Sequence, residues 1–205
     1  MAAFVPAGVL YSLVYTVLYL GPIIDAVCIS KTGFRFSLSN QGWIVARNLV
    51  VAPLAEEFVF RAAIMFHMQS IFHSCQTLCL VSPLFFSLAH FHHVYGEIKH
   101  GKSFQSAISN AVFQVCYTTL FGIYSGFLML RTGNVLSAIF AHSICNYFGL
   151  PDPLGAIERG YRRWGLFGSF LAIATHVIGL ILWYHFLYLA TNPTWFGNLQ
   201  NQCRW

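Results

Sequence analysis

The sequence predicts an all-α, polytopic integral membrane protein, a helical bundle of about six membrane helices. Three observations carry that prediction. Apolar residues make up 57% of the 205 positions and charged residues only 8%, against about 25% charged in an average soluble domain, and the mean hydropathy is +0.63. Apolar runs near membrane-spanning length recur along the chain, which one unusually large soluble core would not require. Basic residues gather in alternate loops. The length suits one domain. The net charge of +5 marks loop orientation, so nucleic acid is not an expected partner.

The first apolar segment runs from Phe4 to Ile24. It has no basic leader and no cleavage site before Ile24, so it reads as a membrane helix and not as a signal peptide. A polar stretch, Ser30 to Gly42, follows. The second segment, Trp43 to Ile71, is too long for one straight span, and Pro53 is expected to divide a short approach helix from a second helix. The third runs from Leu78 to His93, contains Pro83 and is followed by a polar loop, Tyr95 to Ser103. The fourth spans Phe104 to Leu130, the connection Arg131-Thr132-Gly133-Asn134 leads to the fifth, Val135 to Leu150, and the sixth is Leu166 to Leu189. Residues 1–42 are thus an N-terminal membrane helix and loop, 43–150 a candidate catalytic core, and 151–205 a loop, last helix and tail. Six scattered cysteines without a CxxC pair read as buried free thiols.

With six crossings, Lys31, Arg35, Arg47, Lys99, Lys102, Arg159, Arg162 and Arg163 fall in the odd loops. Arg131 and Arg204 fall on the other side. The bias puts the odd loops in the cytosol.

The chemistry is expected in Ala52-Pro53-Leu54-Ala55-Glu56-Glu57-Phe58-Val59-Phe60-Arg61. A carboxylate inside an apolar run is costly unless something compensates or uses it. On a helix Glu57 and Arg61 lie four apart, acid before base, the favourable order for a pair. Glu56 is turned about 100° away and has no basic neighbour at helical spacing. Glu57 therefore reads as structural and Glu56 as the group available for chemistry. The predicted topology brings His90, at the end of the third segment, to a similar depth. It does the same for His142 and Asn146, which share one face of the fifth.

A glutamate beside a histidine is able to activate water as a general base. Two further donors would stabilise a developing oxyanion, which completes the parts needed for amide hydrolysis without a covalent intermediate. Taken alone, His142 and Asn146 fit bonds between neighbouring helices better; together with Glu56 and His90 they favour catalysis. His92 and His93 read as interfacial. No cofactor is expected, although two histidines and a glutamate also make a zinc ligand set, and zinc stays open despite the absence of HExxH. No GxSxG elbow supports a serine triad, and Cys145 has no activating base at helical spacing.

Three ordered stretches carry a family resemblance. Glu56-Glu57-Phe-Val-Phe-Arg61 resembles the EExxxR motif of the type II CAAX prenyl endopeptidases, the Ras-converting enzyme group of the CPBP/ABI intramembrane proteases. Phe86-Ser-Leu-Ala-His90-Phe-His-His resembles their second motif, and Phe140-Ala-His142-Ser-Ile-Cys-Asn146-Tyr-Phe-Gly-Leu-Pro their third. Phe121-Gly122-Ile-Tyr124 and Arg131-Thr-Gly133 look like the eukaryotic branch. The resemblance covers Gly42 to Pro151. It implies that Glu56 and His90 activate the water, that His142 and Asn146 form the oxyanion hole, and that Glu57 supports them by pairing with Arg61. It further implies removal of the last three residues from prenylated CaaX proteins such as Ras-type GTPases, at the cytosolic side of the endoplasmic reticulum membrane. A lipidated substrate would itself partition into that membrane. Eukaryotic members are usually longer at the N-terminus, which implies a short form, a fragment or a reduced homologue. A CPBP protease with another substrate, and a non-catalytic protein binding prenylated tails or partner subunits, are the alternative readings.

Overall fold

The computed structural model describes residues 14–30, 42–196 and 198. The start of the first predicted span, most of the polar stretch after Ser30 and the end of the C-terminal tail lie outside the described residues. No strand occurs among the described ones.

Residues 14–18 are helical, and after a turn at Tyr19 comes α1, Leu20–Ile24, extended by a π-helical turn, Asp25–Ile29. Next come α2, Gly42–Ala46, a π turn, Arg47–Val51, and α3, Ala52–Glu57. A longer π segment, Phe58–Met65, leads to α4, Phe66–Met68. The expected break at Pro53 is corrected: Pro53 lies inside α3. A proline ring crowds the preceding turn and leaves one carbonyl without its N–H partner. The wider π turn ahead of Pro53 accommodates both effects while the backbone stays helical.

Five longer helices follow: α5, Cys75–Ala89; α6, His92–Lys99; α7, Phe104–Thr132; α8, Val135–Phe148; and α9, Pro153–Trp164. Last are α10, Leu166–Ala190, and a 3-10 turn, Pro193–Phe196. Three stretches are long and apolar enough to cross a membrane: Cys75–Lys99, Phe104–Thr132 and Leu166–Ala190. Leu20–Ile29 and Val135–Phe148 are shorter apolar helices. The expected six spans therefore reduce, among the described residues, to three of full length. The second expected span is divided among short segments by its π turns. The fifth ends at Phe148, where Gly149 adopts φ +71° and Pro151 follows.

Two stretches expected as loops are helical. The one from Tyr95 is helical through Lys99. The one before the last span folds as α9, started by Asp152, whose carboxylate accepts the Gly155 N–H at 2.9 Å, and by Pro153 in the first turn. The expectation of buried free thiols holds for Cys79; Cys28, Cys116 and Cys145 are also free, but Cys28 and Cys145 are only half-buried and Cys116 is exposed. It fails at Cys75, which is disulfide-bonded.

The chain forms two compact units, Met1–Leu54 with Ile139–Phe196, and Ala55–Ala138 with Gly197–Trp205. In the first, small residues permit close packing. A side chain at Gly21 would strike the His176 ring, and one at Gly160 the backbone of Gly168, so α1 and α9 both lie tightly on α10. The Arg159 guanidinium holds Asp25 at 2.6 Å and Asp152 at 3.1 Å, and the Tyr19 ring stacks on Phe148 at 4.6 Å. In the second unit, α5 and α7 meet where Gly122 faces Pro83. Met65, Met68, Leu78, Cys79 and Leu130 form the apolar core there.

Candidate active site

Glu57 and Arg61 form the predicted pair, with Arg61 Nε 3.1 Å from Glu57 Oε2. The side chains are 0% and 3% exposed, respectively. Two features that spacing alone did not predict complete the arrangement. Ser125 on α7, itself fully buried, donates its hydroxyl to Glu57 Oε2 at 2.6 Å. The guanidinium lies over the Phe86 ring at 4.7 Å and near that of Phe121 at 6.0 Å, a favourable placement for a desolvated cation. Its two terminal nitrogens are buried without hydrogen-bond partners among the described residues. Charge, hydroxyl and two aromatic faces thus hold one side of the EExxxR helix against α5 and α7. Glu56, one position back, is only half-buried.

His90 is the residue at which α5 ends. Its ring meets Phe86 edge-on at 4.8 Å, so one phenyl ring touches both Arg61 and His90. The Nδ1 atom lies 2.8 Å from the Phe86 carbonyl. Since a carbonyl only accepts, Nδ1 is the donor in this contact.

His142 and Asn146 are both on α8, in the other unit; His142 is buried and Asn146 exposed. The Asn146 Nδ2 donates to the backbone carbonyl of Asn48 at 2.9 Å, which fixes the orientation of the amide. An amide NH₂ has two donors, and this bond uses one. His92 bonds the Ala89 carbonyl through Nδ1 at 2.6 Å and is exposed, in keeping with its interfacial reading. No group of three or more His, Cys, Asp or Glu side chains with metal-holding geometry occurs among the described residues.

Ser125 is the residue that sequence reasoning missed. The available signal was spacing on an apolar helix: Gly122, Ser125 and Gly126 fall on one face of α7, and small residues of that kind mark helix contacts in membranes.

The profile of the type II CAAX prenyl endopeptidases, Rce1-like, matches residues 38–148. That interval holds Glu56, Glu57, Arg61, His90, His142 and Asn146, and it is more than half of the chain. The chain belongs to the Rce1-like type II CAAX prenyl endopeptidase family. Among curated relatives it is similar to CAAX prenyl protease 2 of Homo sapiens, 34% identical over 95% of this chain and 60% of that protein. It is also similar to the Caenorhabditis elegans protein of the same name, 33% identical over 76% of this chain and 56% of the relative. The Arabidopsis thaliana one is 35% identical over 78% and 48%, respectively. The chain thus spans about half to three-fifths of these relatives. No solved structure matches. The matched interval takes in the whole EExxxR stretch.

Proposed function

We propose that this chain is an intramembrane endopeptidase that removes the C-terminal aaX tripeptide from prenylated CaaX proteins. The observation that carries the reading is the buried Glu57–Arg61–Ser125 group. It fixes the helix of the matched motif, on which the adjacent, half-buried Glu56 is the proposed base. In this reading Glu56 takes a proton from a water molecule, oriented by His90 Nε2, as that water adds to the scissile carbonyl carbon. His142 and the second amide proton of Asn146 stabilise the resulting oxyanion. The carbon–nitrogen bond then breaks, and the proton held by Glu56 passes to the departing amine. No covalent enzyme intermediate forms, and no metal takes part.

The relatives' shared name supports the substrate class, and Ras-type GTPases are the proposed natural substrates. The proposed location is the endoplasmic reticulum membrane, with the active site at the cytosolic level.

The test is release of the tripeptide from a farnesylated CaaX peptide in liposomes, comparing the intact chain with Glu56→Gln. Cleavage by the intact chain alone is expected, and chelation should leave it unchanged. Equal cleavage by both proteins would remove Glu56 from the mechanism, and loss on chelation that zinc alone restores would make it a metalloprotease. A folded chain that cleaves nothing would point to a binding-only role.

A further inference from the structure

We propose that Pro53 is a positioning residue: having no N–H, it leaves the Asn48 carbonyl open to bind the Asn146 amide, and so fixes the donor that faces the oxyanion. The inference rests on the oxyanion role given to Asn146 above. Its basis is the backbone pattern of the π turn Arg47–Val51. In such a turn the N–H of residue i+5 bonds the carbonyl of residue i. The Ala52 N–H does so with the Arg47 carbonyl. The next bond in the series would run from residue 53 to the Asn48 carbonyl, and residue 53 is proline. The α-type partner for that carbonyl is also spent, because it would be the same Ala52 N–H. An open helix carbonyl seeks a donor from elsewhere. Here it finds Asn146 Nδ2 at 2.9 Å, from a residue 98 positions away.

The bond has a directional consequence. A carbonyl accepts only from the NH₂ end of the amide, so the side chain is held in one of its two flipped orientations. The remaining N–H then points at a fixed angle, and the oxygen is directed away from it. An amide free to flip would present its oxygen to a developing negative charge for part of the time. Pro53 is itself fully buried, so it would have no direct contact with a substrate in solution; its effect passes through Asn48 and Asn146.

The experiment uses Pro53→Ala, which supplies the missing N–H in a good helix-forming residue. Two readouts apply. With asparagine labelled in its side-chain nitrogen, the Asn146 amide signal is assigned by its loss in Asn146→Ala. Its hydrogen-bonded proton should exchange slowly in the intact chain and lose that protection in Pro53→Ala. In the peptide assay, Pro53→Ala should lower kcat about tenfold, a part of the effect of deleting an oxyanion donor, with KM within about twofold. In an Asn146→Ala background the same change should leave kcat where it was.

An Asn146 amide signal unaltered by Pro53→Ala would overturn the proposal whatever the activity. Lost protection with an unchanged kcat would leave the bond but overturn the positioning role. A proline effect of equal size in both backgrounds would also overturn it, since it would then act by some other route. An intact chain that cleaves nothing would overturn the endopeptidase reading, and the positioning role with it, while the amide signal would still decide whether the bond exists.

Discussion

Replacing Glu57 by glutamine would leave the Arg61 guanidinium buried with no counter-charge on its Nε side. Breaking a buried pair by removing one partner costs about 3–5 kcal/mol, and both groups are almost wholly enclosed. Glu57→Gln is therefore expected to lower the unfolding free energy of the protein in detergent by that order. A second change, Arg61→Met, should recover part of the loss by removing the stranded charge. If Glu57→Gln is as stable as the parent, the pair does not hold the helix. The pair itself was legible from the sequence, because i and i+4 neighbours share a helix face whatever the rest of the chain does. Ser125 was not, since it sits 68 positions from Glu57 and only the packing of α7 brings it there. The same holds for the Phe86 ring under Arg61.

Helix α9 depends on its first turn. The Asp152 carboxylate is held below the usual carboxylate range, chiefly by the Gly155 N–H and then by Arg159. Arg159 is in turn pushed up, chiefly by its hydrogen bond to Asp25. The sign for Asp152 follows from its lowered folded value. Its contribution is present above the ordinary value of about 3.9 and is lost as the pH falls through the lowered one. Asp152→Ala is expected to reduce thermal stability at neutral pH, and its difference from the parent should shrink below about pH 3.9. A difference that stays constant into strong acid would rule out the carboxylate as the cap. The sequence held the signs of this helix, an aspartate, a proline and charges at helical spacing. They were overshadowed by reading the segment as a connection between spans. At Pro53 the rule that proline ends helices failed because a π turn absorbed the misfit.

At the scale of the molecule, three helical stretches long and apolar enough to cross a membrane, with large apolar side chains exposed along α10, such as Leu166, Phe167, Phe170 and Ile181, suit a lipid environment. Alkaline carbonate washing of membranes is expected to leave the chain in the pellet. Release into the supernatant would contradict its integral membrane character. The prenylated substrate proposed above would share that environment, which would limit its search for the proposed site to two dimensions.

The sequence by itself determined the membrane class, the helical character, the Glu57–Arg61 pair and the family. Each of these rests on composition or on spacing within one helix, where 3.6 residues per turn decides which side chains meet. Only the tertiary structure decided that Ser125 completes the buried pair, that the Phe86 ring lies under Arg61, and that Asn146 reaches the carbonyl left open before Pro53. Those contacts join segments far apart in the chain. Their existence depends on which helix faces pack together, a property that no local spacing contains.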